Sequence, residues 1–175
     1  LAFPLDRTDL AEAPEHAGEG PFEMKSIEEL IKMHRLQPHP EGGWYRELHR
    51  SRDCVQRRDG AERNGLTAIL FLLPEQTLSC WHRVLKADEA WTHIDGDPLE
   101  LFQCRPDGDG LIQVRLSSGD PLHVVPADHW QAARSSGRLS LVSCCVGPGF
   151  DFSDFEMLRQ LPTSARPFIP HPELI

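Results

Sequence analysis

At 175 residues with 39% apolar content, the chain is long enough for one core of roughly 100–150 residues plus flanking tails. Its net charge of −9 argues against a nucleic-acid partner, because phosphate backbones are held by clustered Lys and Arg, and no apolar run beyond 68–74 suggests a signal peptide or membrane span. The five cysteines, Cys54, Cys80, Cys104, Cys144 and Cys145, are odd in number and form no Cys-x-x-Cys pair, which points to a reducing, cytoplasmic setting rather than a disulfide framework.

In chain order, residues 1–23 read as a disordered acidic arm. Asp6, Asp9, Glu12, Glu15, Glu19 and Glu23 face only Arg7 there, among Ala, Pro and Gly with no period. The chain begins with Leu1 rather than Met, so an extension upstream stays open. A single domain is expected over 24–161, with a tail over 162–175. Ser26 and Glu29 have capping-box spacing before Ile27, Leu30 and Ile31, which predicts a helix over 26–36. The arginines Arg46, Arg50, Arg52, Arg57, Arg58 and Arg63 interleave with Glu47, Asp53, Asp59 and Glu62, the pattern of a solvated loop. Strands are predicted over 44–51, 66–73, 79–84, 89–95, 99–105, 111–117, 122–125, 129–134 and 139–146, separated by turns such as Pro106-Asp107-Gly108. Asp154 to Leu161, ended by Pro162, reads as a second short helix. So many short strands with little helix imply an all-β antiparallel sandwich or barrel, and a jelly roll is the natural candidate.

Ser79 to Asp97 carries the most chemistry. With a turn over 85–88, Val84 faces Glu89 and His82 faces Trp91 across a hairpin, all four on one side. His93 shares that side, but four residues of strand set it ~13 Å from Glu89. A second cluster is His39-Pro40-Glu41-Gly42-Gly43-Trp44-Tyr45-Arg46-Glu47, where the glycines allow a sharp bend. Tyr45 and Glu47 share one strand face, Trp44 and Arg46 the other. Alternation does not say which points inward. Inward, Tyr45 is a candidate acid with Glu47 as its charge partner; otherwise Arg46 is a candidate for a carboxylate or phosphate. In 147–156, Asp151 or Ser153 can cap the last helix while Phe150, Phe152 and Phe155 pack beneath it, with Asp151 a candidate to face the cavity.

These residues resemble the cupin superfamily, whose first motif runs G-x5-H-x-H-x(3,4)-E-x6-G. His82 falls at the first histidine, Val84 at the second, Glu89 at the glutamate and Gly96 at the closing glycine, with Gln76 where the leading glycine belongs. In the second motif Pro126 matches, while Asp128, Gln131 and Ser135 stand at the glycine, histidine and asparagine. The blocks PHPEGGWYRE, TAILFLL, WHRVLKADEAW, GDPLEL, VVPADHWQAAR and VGPGFDFSDFE are more specifically similar to a cupin subfamily catalogued as a domain of unknown function. The resemblance implies a jelly-roll barrel that commonly forms a homodimer, and no established reaction. Typical cupins hold a metal with three histidines and a glutamate. Here His82 and Glu89 remain, with Gln131 as a neutral oxygen, so a divalent metal on His82, Glu89 and Gln131 is the alternative to a metal-free pocket.

The reading that follows is a small-molecule pocket in which His82, Glu89 and Tyr45 do chemistry. Arg46, Glu47, Trp91, His93, Trp130 and Gln131 contact the ligand. The expected activity is metal-independent isomerisation or epimerisation of a sugar derivative or keto acid. The alternatives are a noncatalytic metabolite- or nucleotide-binding protein and a storage-like dimer, with a metal-dependent oxygenase a poorer fit. No nucleic-acid or membrane partner is expected.

Overall fold

The computed structural model describes residues 25–175; the acidic arm lies outside them. Helix α1 (Ile27–His34) starts where Ser26 accepts from the Glu29 backbone and Glu29 caps Ser26 in return. Its apolar stripe, Ile27, Leu30 and Ile31, packs with Trp44 on Leu36, Leu70, Leu72, Leu139 and Leu141. No described helix is long and apolar enough to cross a membrane.

The strands are β1 (Gln37–Pro38), β2 (Trp44–Arg50), β3 (Cys54–Gln56), β4 (Glu62–Asn64), β5 (Thr67–Pro74), β6 (Leu78–Val84) and β7 (Asp88–Gly96). They continue with β8 (Leu99–Cys104), β9 (Ile112–Leu116), β10 (Leu122–Val125), β11 (Trp130–Ser135), β12 (Leu139–Gly147) and β13 (Phe155–Met157). One sheet has the order β1-β2-β5-β12-β7-β10, the facing sheet β13-β6-β11-β8-β9, and every pairing is antiparallel. This is a jelly-roll barrel, and all nine predicted strands are present.

Three expectations change. The chain from β6 to β7 is no hairpin: β6 pairs with β11 and β13, β7 with β12 and β10. The turn over 85–88 crosses between sheets, so His82 and Glu89 face each other across the barrel interior. The predicted C-terminal helix is two 3-10 turns, Phe152–Asp154 and Leu158–Gln160, flanking β13. There β13 completes the edge of β6, matching Phe155 with Val84 and Met157 with His82, and ladder bonds outweigh a short helical pattern. The arginine-rich loop is the hairpin β3–β4, with Arg57 almost fully covered.

Packing closes one end of the barrel. Phe71, Leu73, Trp91, Leu99, Leu101, Leu116 and Val142 are buried together there, with Phe71 and Trp91 edge to face. The tail covers the outside of the second sheet: Ile169 and Leu174 pack with Trp81, Phe102 and Trp130, and the Trp81 indole donates to the His171 carbonyl. The other end of the barrel stays hollow.

Candidate functional site

The hollow end is a cavity of about 200 Å³ lined from both sheets and roofed by Phe150, Phe152 and Phe155. On β2, Tyr45 and Glu47 point inward; Trp44 and Arg46 point away. A bulge at Leu48 then shifts the alternation so that Arg50 returns to the inner face. Arg50 grips Glu47 through Nε and Nη2 at 3.0 and 2.7 Å, and its Nη1 donates to Asn64 and to the Phe150 carbonyl.

A second bulge, in β6, brings Ser79 and His82 to one side although they stand three residues apart. Both address Glu41. The Ser79 hydroxyl donates to Glu41 Oε1 at 2.7 Å, and His82 Nε2 lies 3.1 Å from Oε2. His39 Nδ1 lies 3.3 Å from that same Oε2. Glu41 reaches this place because Gly42 and Gly43, at φ +116° and +68°, fold residues 39–43 back on themselves. A Cβ on Gly42 would collide with the Leu78 carbonyl, so the turn lies directly against β6, where Cys80 N–H donates to the Glu41 carbonyl.

Burial alone would raise the Glu41 carboxyl, but His82, His39 and the Ser79 hydroxyl outweigh it and hold the group below its ordinary 4.5. The Cys80 carbonyl, 2.8 Å from His82 Nδ1, can only accept, so Nδ1 carries a proton. Glu41 and His82 Nε2 therefore share one proton across 3.1 Å. Glu89, from β7 on the opposite sheet, behaves in the contrary way. Burial first, and Glu41 after it, push its carboxyl upward against the opposing pull of His82 and the Gln131 amide. Gln131 Nε2 donates to Glu89 at 2.5 Å, while Gln131 Oε1 accepts the Trp91 indole at 2.9 Å.

Of the residues expected at a site, His82, Glu89, Tyr45 and Glu47 line the cavity. His82 takes Glu41 rather than Glu89 as its carboxylate partner. Gln131 and Trp91 stand behind Glu89 and position it. Arg46 lies on the outer face with a buried Nε that has no partner among the described residues. Trp130 is also outside, under the Arg83 guanidinium and donating to the Pro106 carbonyl, and His93 turns away to the Asp97 carbonyl. Sequence reasoning missed Glu41, His39 and Arg50. The two glycines after Glu41 were the available signal; neither bulge leaves one.

The aromatic roof is anchored from outside. Asp154, at the end of the first 3-10 turn, accepts from Arg57 at 2.8 and 3.2 Å and from Arg63 at 2.7 Å. Asp151 caps the same turn through the Ser153 N–H and lines the cavity, whereas the helix over 154–161 that it or Ser153 was expected to cap is absent.

The family described as Cupin superfamily (DUF985) matches residues 28–158. The chain belongs to that family. A hypothetical protein from Leishmania major is similar at 32% identity and a TM-score of 0.71, over 81% of this chain and 90% of that one. Protein SO0799 from Shewanella oneidensis is similar at 33% and 0.68, over 77% and 85%. KdgF from Halomonas sp. shares the fold at 19% identity and 0.51, over 70% and 94%. A search of curated proteins found no match. The metal site typical of cupins does not fit the residues here. Val84 supplies no donor, the Gln131 oxygen is taken by Trp91, and His82 Nε2 is turned to Glu41.

Proposed function

We propose that this cupin is an isomerase or epimerase that moves a proton on a small carbonyl compound such as a sugar derivative, without a resident metal. One observation carries the reading: two buried carboxyls, Glu41 and Glu89, flank one cavity in environments that push their proton affinities apart. Such a separation assigns a base and an acid at one pH.

Glu41, ionised, takes the proton from the carbon beside the carbonyl, and Glu89 gives its proton to the carbonyl oxygen, forming a neutral enediol. Glu41 then returns its proton to the former carbonyl carbon as Glu89 takes one from the neighbouring hydroxyl, so both groups end as they began. His82 and Ser79 hold Glu41 in place throughout, Gln131 and Trp91 hold Glu89, and the phenyl roof excludes water.

The test is exchange of substrate C–H for deuterium in D₂O, followed by proton NMR over a panel of aldoses and ketoses. Wild type is expected to exchange one of them, and Glu89→Gln to slow that exchange by about 10²–10⁴. Binding without exchange would make the protein a binding module instead. Metal analysis after purification without chelator is expected to find far less than one equivalent; a stoichiometric metal lost on His82→Ala would overturn the metal-free reading.

A further inference from the structure

The charges around the cavity bear on what enters it. Arg50 uses Nε, Nη1 and Nη2 on Glu47, Asn64 and the Phe150 carbonyl. His82 is taken by the Cys80 carbonyl and Glu41, and His39 by Glu41. Each basic side chain that lines the cavity thus already has a partner. The acids are matched too: Glu47 gives both oxygens to Arg50, and Asp151 accepts the Ser153 N–H and hydroxyl at 2.9 and 2.6 Å. Glu47 and Asp151 thus stand against Arg50 and Arg63, and both guanidiniums are already engaged.

What stays free is uncharged. The Tyr45 hydroxyl has no partner among the described residues, and Thr67 accepts the Phe150 N–H at 2.9 Å while keeping its own proton to donate. The rest of the wall is phenyl and aliphatic, suited to the C–H face of a ring. The volume, about 200 Å³, falls below the roughly 300–1,000 Å³ of sites for drug-sized ligands.

We infer that the cavity selects an uncharged, hydroxyl-bearing ligand of monosaccharide size, and that Glu47 excludes anions by occupying Arg50. This rests on the cavity being the substrate site, as proposed above, and narrows its substrate to sugars without phosphate or carboxylate. An entering anion meets Glu47 and Asp151 with no unpaired cation in compensation, and burying an unpaired charge is unfavourable.

The test measures binding of inorganic phosphate, and of aldohexoses paired with their 6-phosphates, uronic acids and amino sugars, to wild type and Glu47→Gln by calorimetry. Wild type is expected to bind phosphate only weakly and to prefer the uncharged member of each set. Glu47→Gln, with circular dichroism confirming its fold, is expected to bind phosphate about tenfold more tightly than wild type, the equivalent of one charge-assisted hydrogen bond. Adding Arg50→Gln should abolish that gain. Tighter binding of a phosphate, uronic acid or amine by wild type would overturn the inference, as would a folded Glu47→Gln with no gain for phosphate. If no sugar of any charge binds, the isomerase reading fails, and the phosphate result still decides the role of Glu47.

Discussion

Replacing Glu41 by Gln keeps the shape of the side chain and removes its charge. The group is buried against His82, His39 and Ser79. Orphaning one partner of a buried ion pair costs about 3–5 kcal/mol, but Gln fills the same space and still accepts from Ser79, so the loss is set by the charge-assisted contacts at about 2–3 kcal/mol. The pH dependence follows from the direction of the shift. Because the folded Glu41 carboxyl sits below 4.5, its contribution is complete above that value and fades as the pH falls through the folded pKa. The variant has no such group, so the gap between the proteins closes in acid. Urea unfolding followed by the buried Trp81, Trp91 and Trp130 measures it, at about pH 7 and about pH 3.5. A gap of the same size at both values, or none at about pH 7, would refute the assignment of Glu41 as a stabilised carboxylate.

Glu89→Gln should act in the opposite sense. Folded Glu89 keeps its proton to higher pH than unfolded Glu89, so wild type loses stability as the pH rises above 4.5 through the folded pKa. The amide does not, and unfolding curves should show the variant gaining on wild type across that interval. Asp154→Asn loosens the roof without touching the cavity floor. Alkylation of the buried Cys144, which lines the cavity, should accelerate severalfold by mass spectrometry, and an unchanged rate would mean that the Arg57–Asp154–Arg63 cluster does not hold the roof. Gly42→Ala forces a side chain into a left-handed residue against the Leu78 carbonyl, so a loss of more than about 3 kcal/mol is expected by urea unfolding.

The contrast between what could be read from residues and what could not has a local cause. The strands were legible because period-two alternation and turn residues are written along the chain, and the Ser26–Glu29 capping box marked the helix. His82 and Glu89 were legible as inward residues, yet their relation was not, since a turn over 85–88 serves equally for a hairpin and for a crossing between sheets. Two bulges decided the rest. Alternation puts Glu47 and Arg50, and likewise Ser79 and His82, on opposite faces, and one extra residue in each strand brings them together. Glu41 was hidden in a turn, where no period applies. Trp130 and Arg46 were misplaced because a buried aromatic or a strand arginine reads the same on either face of a sheet covered on both sides.

The account stands on Glu41 and Glu89 holding their protons differently within one cavity. A ¹³C NMR titration of the glutamate carboxyl carbons, assigned with the two Gln variants, tests this directly. One resonance, lost in Glu41→Gln, should titrate below 4.5, and another, lost in Glu89→Gln, above it. Both titrating together near 4.5, or in the reverse order, would contradict the assignment of base and acid.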